Sequence, residues 1–315
     1  MKNVSIVIPL LNEADSLREL HQWIVGVFEN ERLTYEVLFV DDGSTDASWK
    51  IIQELEYLNK NVKGIRFLKN YGKSQALHAG FNESDGEVVF TMDADLQDNP
   101  EELPEMYKMI VEEGYDLISG WKKKRYDSKL FKNFPSKIFN AAARATSGVQ
   151  LNDFNCGLKA YRAEVVKNIN VYGEMHRYIP VLAKNEGFSK IGEKVVQHQA
   201  RKYGETKFGI NRFTNGFLDL ITIWFISKFG KRPMHFFGFV GTLLFGVGFA
   251  FSLYLGVDKL FLNRAGRLIT DRPQFYIALT AMILGTQFFL AGFLGEIIFQ
   301  SKTEKTIRYK IAEII

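Results

Sequence analysis

The 315-residue chain is 46% apolar and 24% charged, ordinary for a globular protein, and its formal charge of +4 is too slight and too scattered to suggest a nucleic-acid partner. A single cysteine, Cys156, excludes an intramolecular disulfide, and the opening residues lack the apolar stretch and cleavage site of a secretory signal, so none is expected. These averages conceal a change of character. Charged and apolar residues mix evenly up to about Tyr203, whereas from Phe208 the sequence turns aromatic and aliphatic.

In the first half, short apolar runs alternate with helical patterns. Residues 4–10, 37–40, 64–68, 88–92 and 117–119 predict strands, and residues 14–29, 48–59, 75–82 and 101–112 predict the helices between them. Ser44, Thr45 and Asp46 are placed to cap the second helix, and Asn99-Pro100 opens the fourth with acidic residues in its first turn. Strands rich in Val, Ile and Phe, separated by helices, predict an α/β domain with a Rossmann-like, mostly parallel sheet covered on both faces.

Further along, Ile210, Phe213, Phe217, Leu220, Ile221 and Trp224 recur at three- and four-residue spacing, with Lys207, Arg212 and Lys228 among or beside them. That pattern suits a helix lying in a membrane interface, or one packed on the preceding domain, and the two readings are compatible. Residues 236–257 and 275–299 form two apolar segments, the first without a charged residue. At about 1.5 Å per residue each crosses a hydrocarbon core roughly 30 Å thick. A pair of buried soluble helices is the alternative, but such helices rarely lack a polar face for six turns. The expected organisation is a domain over 1–207, interfacial or linker helices over 208–232, a transmembrane hairpin over 233–300 and a tail over 301–315. Lys228, Lys231 and Arg232 precede the spans, and Lys302, Lys305, Arg308 and Lys310 follow them. The connecting loop carries Lys259, Arg264, Arg267 and Arg272 against Asp258 and Asp271, so charge favours cytoplasmic termini by a small margin.

Ligands of open α/β sheets bind outside the carboxyl ends of the strands. There the chain gathers Pro9 and Asn12-Glu13, then Asp41-Asp42-Gly43-Ser44, then Asp93-Ala94-Asp95-Leu96-Gln97. One such group is more often a turn or a cap; three on one edge point to a site. Asp93, Asp95 and Gln97 offer hard oxygen donors suited to Mg²⁺ or Mn²⁺, and an ion bridging a diphosphate would neutralise a departing nucleotide.

The segments VSIVIPLLNE, VDDGSTD and MDADLQDNP, in that order and spacing, resemble the motifs of glycosyltransferase family 2 with the GT-A fold. The resemblance covers roughly the first 210 residues. With the apolar hairpin added, the chain resembles bacterial polyprenyl-phosphate glycosyltransferases related to dolichyl-phosphate mannose synthase. The resemblance implies that Pro9, Leu10, Glu13, Val40 and Asp42 line a nucleoside pocket, with Asp93 and Ala94 beside the ribose and diphosphate. It implies a metal on Asp95 and Gln97, with Asp93 next to it. Residues 152–157 match an acidic segment near sugar and acceptor, which makes Asp153 a candidate catalytic residue; a helix or turn cap is its structural alternative. The run from Arg201 to Lys207 resembles an R-x-x-G-x-S-K loop with Thr206 for Ser, and Arg201 and Lys207 suit phosphate binding. Where relatives commonly have Gly-x-Arg, this chain has Gly120-Trp121-Lys122, and Arg125 offers a second basic position on the donor side. His78 and His176 have neither metal nor triad spacing and read as structural.

The expectation is an inverting transferase that moves one sugar, UDP-glucose being the favoured donor, to polyprenyl (undecaprenyl) phosphate for cell-envelope glycan modification. GDP-mannose, UDP-N-acetyl sugars and UDP-aminoarabinose derivatives are the alternative donors. A catalytically silent, membrane-tethered nucleotide-sugar-binding scaffold is the alternative of another class. The expected partners are donor, lipid phosphate and bilayer, in the inner membrane, with self-association open.

Overall fold

The computed structural model describes residues 2–123, 140, 141, 143, 144, 147–173, 175–200, 202, 203, 225, 229, 232–301 and 309–315. The chain divides into two units, Met1–Trp224 with Ile307–Ile315, and Phe225–Thr306.

The first unit holds strands β1 (Lys2–Leu10), β2 (Tyr35–Asp41), β3 (Val62–Phe67), β4 (Gly86–Thr91), β5 (Leu117–Trp121), β6 (Lys159–Arg162), β7 (Ile191–Val195) and β8 (Ile311–Ile314). They form one sheet in the order β7-β5-β6-β4-β1-β2-β3-β8. β1 runs parallel to β2 and β4, β2 to β3, and β5 to β7, whereas β6 and β8 run antiparallel to their neighbours. The helices are α1 (Ala14–Glu29), α2 (Ser48–Leu58), α3 (Lys73–Glu83), α4 (Leu103–Val111), α5 (Ala163–Asn168) and α6 (Ile179–Asn185).

The continuous apolar runs of the sequence arise because the sheet is buried on both faces. Ile6, Ile8, Val37, Phe39, Val88 and Phe90 face one layer with Leu17, Leu20 and Ile24 of α1 and Ile52 of α2. Val7, Val40, Ile65 and Val89, one residue out of phase, face the other with Ala76, Leu77 and Phe81 of α3. The five strands and four helices expected from residues 4–119 are all present. The fourth helix opens differently: Asn99 caps a 3₁₀ turn, Pro100–Glu102, which leads into α4. Because β4 returns to pair with β1 on the side opposite β2, strand order reverses between β1 and β4. The crevice of an open sheet lies at that reversal.

β8 lies within the segment 301–315, for which the sequence reading had no element. It pairs with the free edge of β3, Ile65 opposite Ile314. Gly64 and Ile315 exchange hydrogen bonds of 2.9 and 3.0 Å, and Trp49 Nε1 donates to Glu313 at 3.1 Å.

The second unit is built on α7 (Pro233–Val257) and α8 (Pro273–Ser301). The helical stretches Pro233–Leu262 and Pro273–Ile298 have mean hydropathies of 2.0 and 1.9 and are long and apolar enough to cross a bilayer. They pack backbone to backbone at glycines. A Cβ on Gly285 would sit 2.6 Å from Phe245 N and 2.7 Å from Gly241 O, and one on Gly248 would sit 2.6 Å from Ala278 O. Lipid tails give apolar helices no hydrophobic reason to associate, so such close approach is what holds a pair together in a membrane. Arg272 and Asp258, 2.6 Å apart, close the connection. The helix expected over 208–232 falls almost wholly outside the described residues.

Candidate active site

The ends of β1, β2 and β4 stand side by side at that reversal of strand order. Pro9 pairs with Val40 and Leu10 with Asp41, and Asp42 N donates to Leu10 O at 2.9 Å. The expected nucleoside-pocket residues Pro9, Leu10, Val40 and Asp42 therefore share one corner of the sheet. Glu13 begins α1, its backbone N–H donating to Ser48 Oγ at 3.1 Å, while Asn12 Oδ1 accepts the Thr45 N–H at 2.8 Å. Asp46 accepts from Ser48 N and Ala14 N, tying the start of α2 to that of α1. The N-cap of α2 is Ala47, which offers no side-chain cap, so none of Ser44, Thr45 and Asp46 takes the expected cap position; Ser44 Oγ instead accepts the Asn12 N–H at 2.9 Å.

Asp42 is buried, and its two oxygens accept the N–H groups of Tyr71 at 2.7 Å and Gly72 at 2.9 Å. Burial raises its pKa, with those two N–H groups pulling the other way. The carboxylate thus shapes the loop between β3 and α3, bringing Lys73 to the next strand end, where it pairs with Asp93.

Asp93 lies between three lysines. Burial disfavours its charge, but Lys73, Lys122 and Lys159 outweigh that and hold its carboxyl well below the usual range. Its carboxylate rests on Gly157, where a Cβ would lie 2.6 Å from Asp93 Oδ2, so a side chain at residue 157 would displace the Asp93 carboxylate. Asp98 accepts the Asp93 N–H at 3.2 Å through one oxygen and meets Lys122 Nζ at 2.7 Å through the other. Lys122, expected on the donor side, is 11% exposed and committed to that buried pair beneath the Asp93 turn. Burial alone would lower the Lys122 pKa, yet Asp98 and then Cys156 and Asp93 raise it above the ordinary lysine range.

Ala94 and Asp95 are buried and Gln97 is half-buried. Asp95 Oδ1 accepts the Gln97 N–H at 3.2 Å, closing a turn across Leu96. Leu96 has φ +61°, a strained conformation for a residue with a bulky side chain. The strain keeps the Asp95 carboxylate and residue 97 on one tight turn.

On the far side of Asp93 lies the expected acceptor segment. Asp153 is 2% exposed, and Glu193 of β7 accepts its N–H at 2.9 Å and that of Asn152 at 2.8 Å. Asp153 Oδ1 accepts from Asn155 N at 3.1 Å, which is the turn-cap geometry weighed for it, here inside the site. Lys159 donates to Cys156 O. Burial lowers the Lys159 pKa, Lys73 adding to the effect while Cys156, Asp153 and Asp93 oppose it. The Cys156 thiol is pushed up to about 12 by burial and stays protonated. Ser74 is fully buried, and its hydroxyl accepts the His176 N–H at 3.0 Å and lies 3.2 Å from His176 Nδ1.

The structure therefore gathers Pro9, Leu10, Val40, Asp42, Asp93, Ala94, Asp95, Gln97, Lys122 and Asp153 around the ends of β1, β2 and β4 and the adjoining 152–159 segment. Arg125, Arg201 and Lys207 lie outside the described residues. Sequence reasoning missed Lys73, Asp98, Lys159 and Glu193. The polar DNP after the metal-like triplet was the one signal for Asp98; the other three carry none.

Residues 5–169 match the family Glycosyl transferase family 2. Along 299 residues, covering 94% of this chain and 87% of that protein, the sequence is 34% identical to the dodecaprenyl-phosphate galacturonate synthase of Rhizobium johnstonii. It is 35% identical over 296 residues to the undecaprenyl-phosphate 4-deoxy-4-formamido-L-arabinose transferase of Edwardsiella ictaluri, covering 94% and 88% of the two chains. The solved glucosyl-3-phosphoglycerate synthase of Mycobacterium tuberculosis with bound UDP superposes with a TM-score of 0.55 over 72% of this chain and 80% of its own, at 17% identity. A second structure of that enzyme, holding Mn²⁺, UDP and glucosyl-3-phosphoglycerate, gives the same TM-score at 16% identity over the same shares. At such identities the superposition speaks to the fold, a GT-A-like α/β sheet. The family match begins inside β1, ends beyond the acidic segment, and includes each of the three acidic strand ends. On the family match and on relatives at 34% and 35% identity, the chain belongs to glycosyl transferase family 2.

Proposed function

We propose that the chain transfers one sugar, with inversion, from a nucleotide-sugar to the phosphate of a polyprenyl lipid. A lipid-phosphate oxygen forms a bond to the anomeric carbon. The bond from that carbon to the diphosphate breaks on the opposite face, its electron pair leaving with the nucleoside diphosphate. A phosphate monoester is already substantially ionised at neutral pH, so the task is to position two anions rather than to remove a proton. The observation that carries this reading is the row of Asp42, Asp93 and Asp95 on one sheet edge. It occurs in a chain matched along 94% of its length by relatives named as polyprenyl-phosphate transferases.

Asp42 would meet the nucleoside, and Asp93, with Lys73 and Lys159 against it, would border the diphosphate. Asp153 would orient the acceptor, with Arg201 and Lys207 reaching its phosphate. Asp95 and Gln97 suit a divalent ion, Mg²⁺ or Mn²⁺, as hard donors on one turn. Among the described residues no three His, Cys, Asp or Glu side chains gather as a cage. An ion held by Asp95 and Gln97 would supply counter-charge to the departing diphosphate. The expected UDP-glucose donor draws no support from the two relatives, whose names specify galacturonate and 4-deoxy-4-formamido-L-arabinose; UDP-linked sugars of those two kinds become the first donors to test.

The proposed organisation keeps 1–207 as the catalytic domain and α7 and α8 as two bilayer spans, with the catalytic unit in the cytoplasm. Pairing of β8 with β3 supports the hairpin arrangement: the chain that leaves before α7 rejoins the same sheet after α8, which requires an even number of crossings.

The test is release of nucleoside diphosphate from a panel of UDP- and GDP-sugars, with and without polyprenyl phosphate. Lipid-dependent release with one donor supports the transferase. Donor binding without release under any condition would leave the silent scaffold.

A further inference from the structure

We infer that the segment 309–315, which follows the apolar hairpin in sequence, is a positioning element for the donor site, acting through Tyr309. The inference rests on the proposed role of Asp42 in donor binding.

Tyr309 is buried, and its ring stacks on Phe67 at the end of β3, centroids 4.9 Å apart and planes 20° from parallel. Phe67 meets Tyr71 edge-on at 5.7 Å. The Tyr71 N–H is one of the two that hold Asp42, at 2.7 Å, and the Gly72 N–H is the other. Lys73 follows and pairs with Asp93. An unbroken series of contacts thus runs from Tyr309 through Phe67 and Tyr71 to both donor-side carboxylates.

The rest of the segment fixes the position of Tyr309. Leu68 N donates to Lys310 O at 3.1 Å, continuing the pairing of β8 past the end of β3. The Tyr309 hydroxyl lies 3.2 Å from His78 Nδ1 and 3.3 Å from Asn82 Nδ2, joining the segment to α3, the helix that Lys73 begins. Residues 68–72 connect β3 to α3, and Tyr309 touches both of the elements they join, Phe67 of β3 and His78 and Asn82 of α3. Among the described residues Tyr309 is the ring that stacks face to face on Phe67, Tyr71 meeting it edge-on. Without Tyr309 the loop would sample more conformations, and donor binding would have to order it first, which lowers affinity without changing the bound geometry.

The inference makes Tyr309 a positioning residue, since it touches no reacting group. Its test compares Tyr309→Ala, Tyr309→Phe and removal of residues 309–315 with the unaltered full chain in detergent. UDP is titrated by calorimetry, and turnover is followed with the nucleotide-sugar that the unaltered protein uses. Tyr309→Ala should weaken UDP binding and raise the donor KM by about 3- to 10-fold, the worth of one aromatic pair. kcat and the dependence on lipid phosphate should change less than 2-fold. Tyr309→Phe keeps the stack and should recover most of the affinity, and the truncation should be no milder than Tyr309→Ala. Should the truncated chain fail to fold, the two point variants still decide. Unchanged UDP affinity and donor KM in Tyr309→Ala, or an equal fall in kcat and thermal midpoint with no change in KM, would overturn the inference. If the unaltered protein binds UDP at a site that Asp42→Asn leaves intact, the donor-site reading fails instead.

Discussion

Glu193 accepts the backbone N–H groups of both Asn152 and Asp153 with a single oxygen, at 2.8 and 2.9 Å, while its other oxygen takes the Asn152 side-chain amide at 2.7 Å. A carboxylate on β7 thereby dictates where Asp153 points. Glu193→Ala frees that turn. The expected outcome is a fall in kcat of about 10- to 100-fold, the loss of one or two charge-assisted hydrogen bonds, with UDP affinity kept. Single-turnover rates at saturating donor check it, and a normal rate would remove Asp153 from the acceptor side.

Asp95→Asn keeps the shape of the Leu96 turn and removes a hard, charged oxygen. Turnover with Mg²⁺ or Mn²⁺ should fall to background while the thermal midpoint stays within a few degrees. Near-normal activity of the unaltered protein in excess EDTA would rule out the metal.

Lys207→Ala should impair the acceptor side. One charge-assisted contact to phosphate is worth about 1.5–3 kcal/mol, or roughly 10- to 150-fold. The loss should appear in the dependence of rate on polyprenyl phosphate, with donor binding by calorimetry unaltered. The opposite pattern would move Lys207 into the donor site.

Acid should destabilise the catalytic unit through two histidines. Burial first, then Lys73 and Arg177, lowers the His176 pKa to about 3, and burial lowers that of His21. Both folded values lie below the unfolded value of 6.5, so the unfolded chain binds more protons between them. Their stabilising contribution is complete above about pH 6.5 and is lost as pH falls toward the folded values, at roughly 1.4 kcal/mol per pH unit per histidine at most. Thermal midpoints measured from pH 7.5 to 5 should decline, and His176→Asn should flatten that decline. A pH-independent midpoint would contradict the lowered pKa of both rings.

In the hairpin, Gly285→Val sets a branched side chain against Phe245 N and Gly241 O. Overpacking of this kind costs about 1–3 kcal/mol. The helices should separate, seen as faster proteolysis near Asn263 in detergent, while UDP binding by the catalytic unit persists.

The sequence made the central sheet legible where strands are buried on both faces, since β1, β2 and β4 carry dense Val, Ile or Phe runs and β3 and β5 stand between helical patterns. It hid β6, β7 and β8. β6 is four residues long and contains a buried lysine, and β7 is short, half-buried and holds Glu193. β8 reads IAEI after a basic stretch, and only the free edge of β3 gives it a partner. The same holds within the site. Asp42, Asp93 and Asp95 were legible because they stand in a recognisable row after strands. Lys73 and Lys159 were not, because their roles come from a distant residue that the fold alone brings near: Asp93 is 20 positions from Lys73.

Pairing of β8 also orders the making of the protein. Trp49 and Glu313, joined by a hydrogen bond, stand 264 positions apart. Chains are synthesised from the amino end, so the edge of β3 remains open while both apolar helices are being made. An open edge with unpaired N–H and C=O groups is where strands join wrongly. With α7 and α8 spanning a bilayer as proposed, completion of the sheet waits on the hairpin, which must return 311–314 to the side of the first unit.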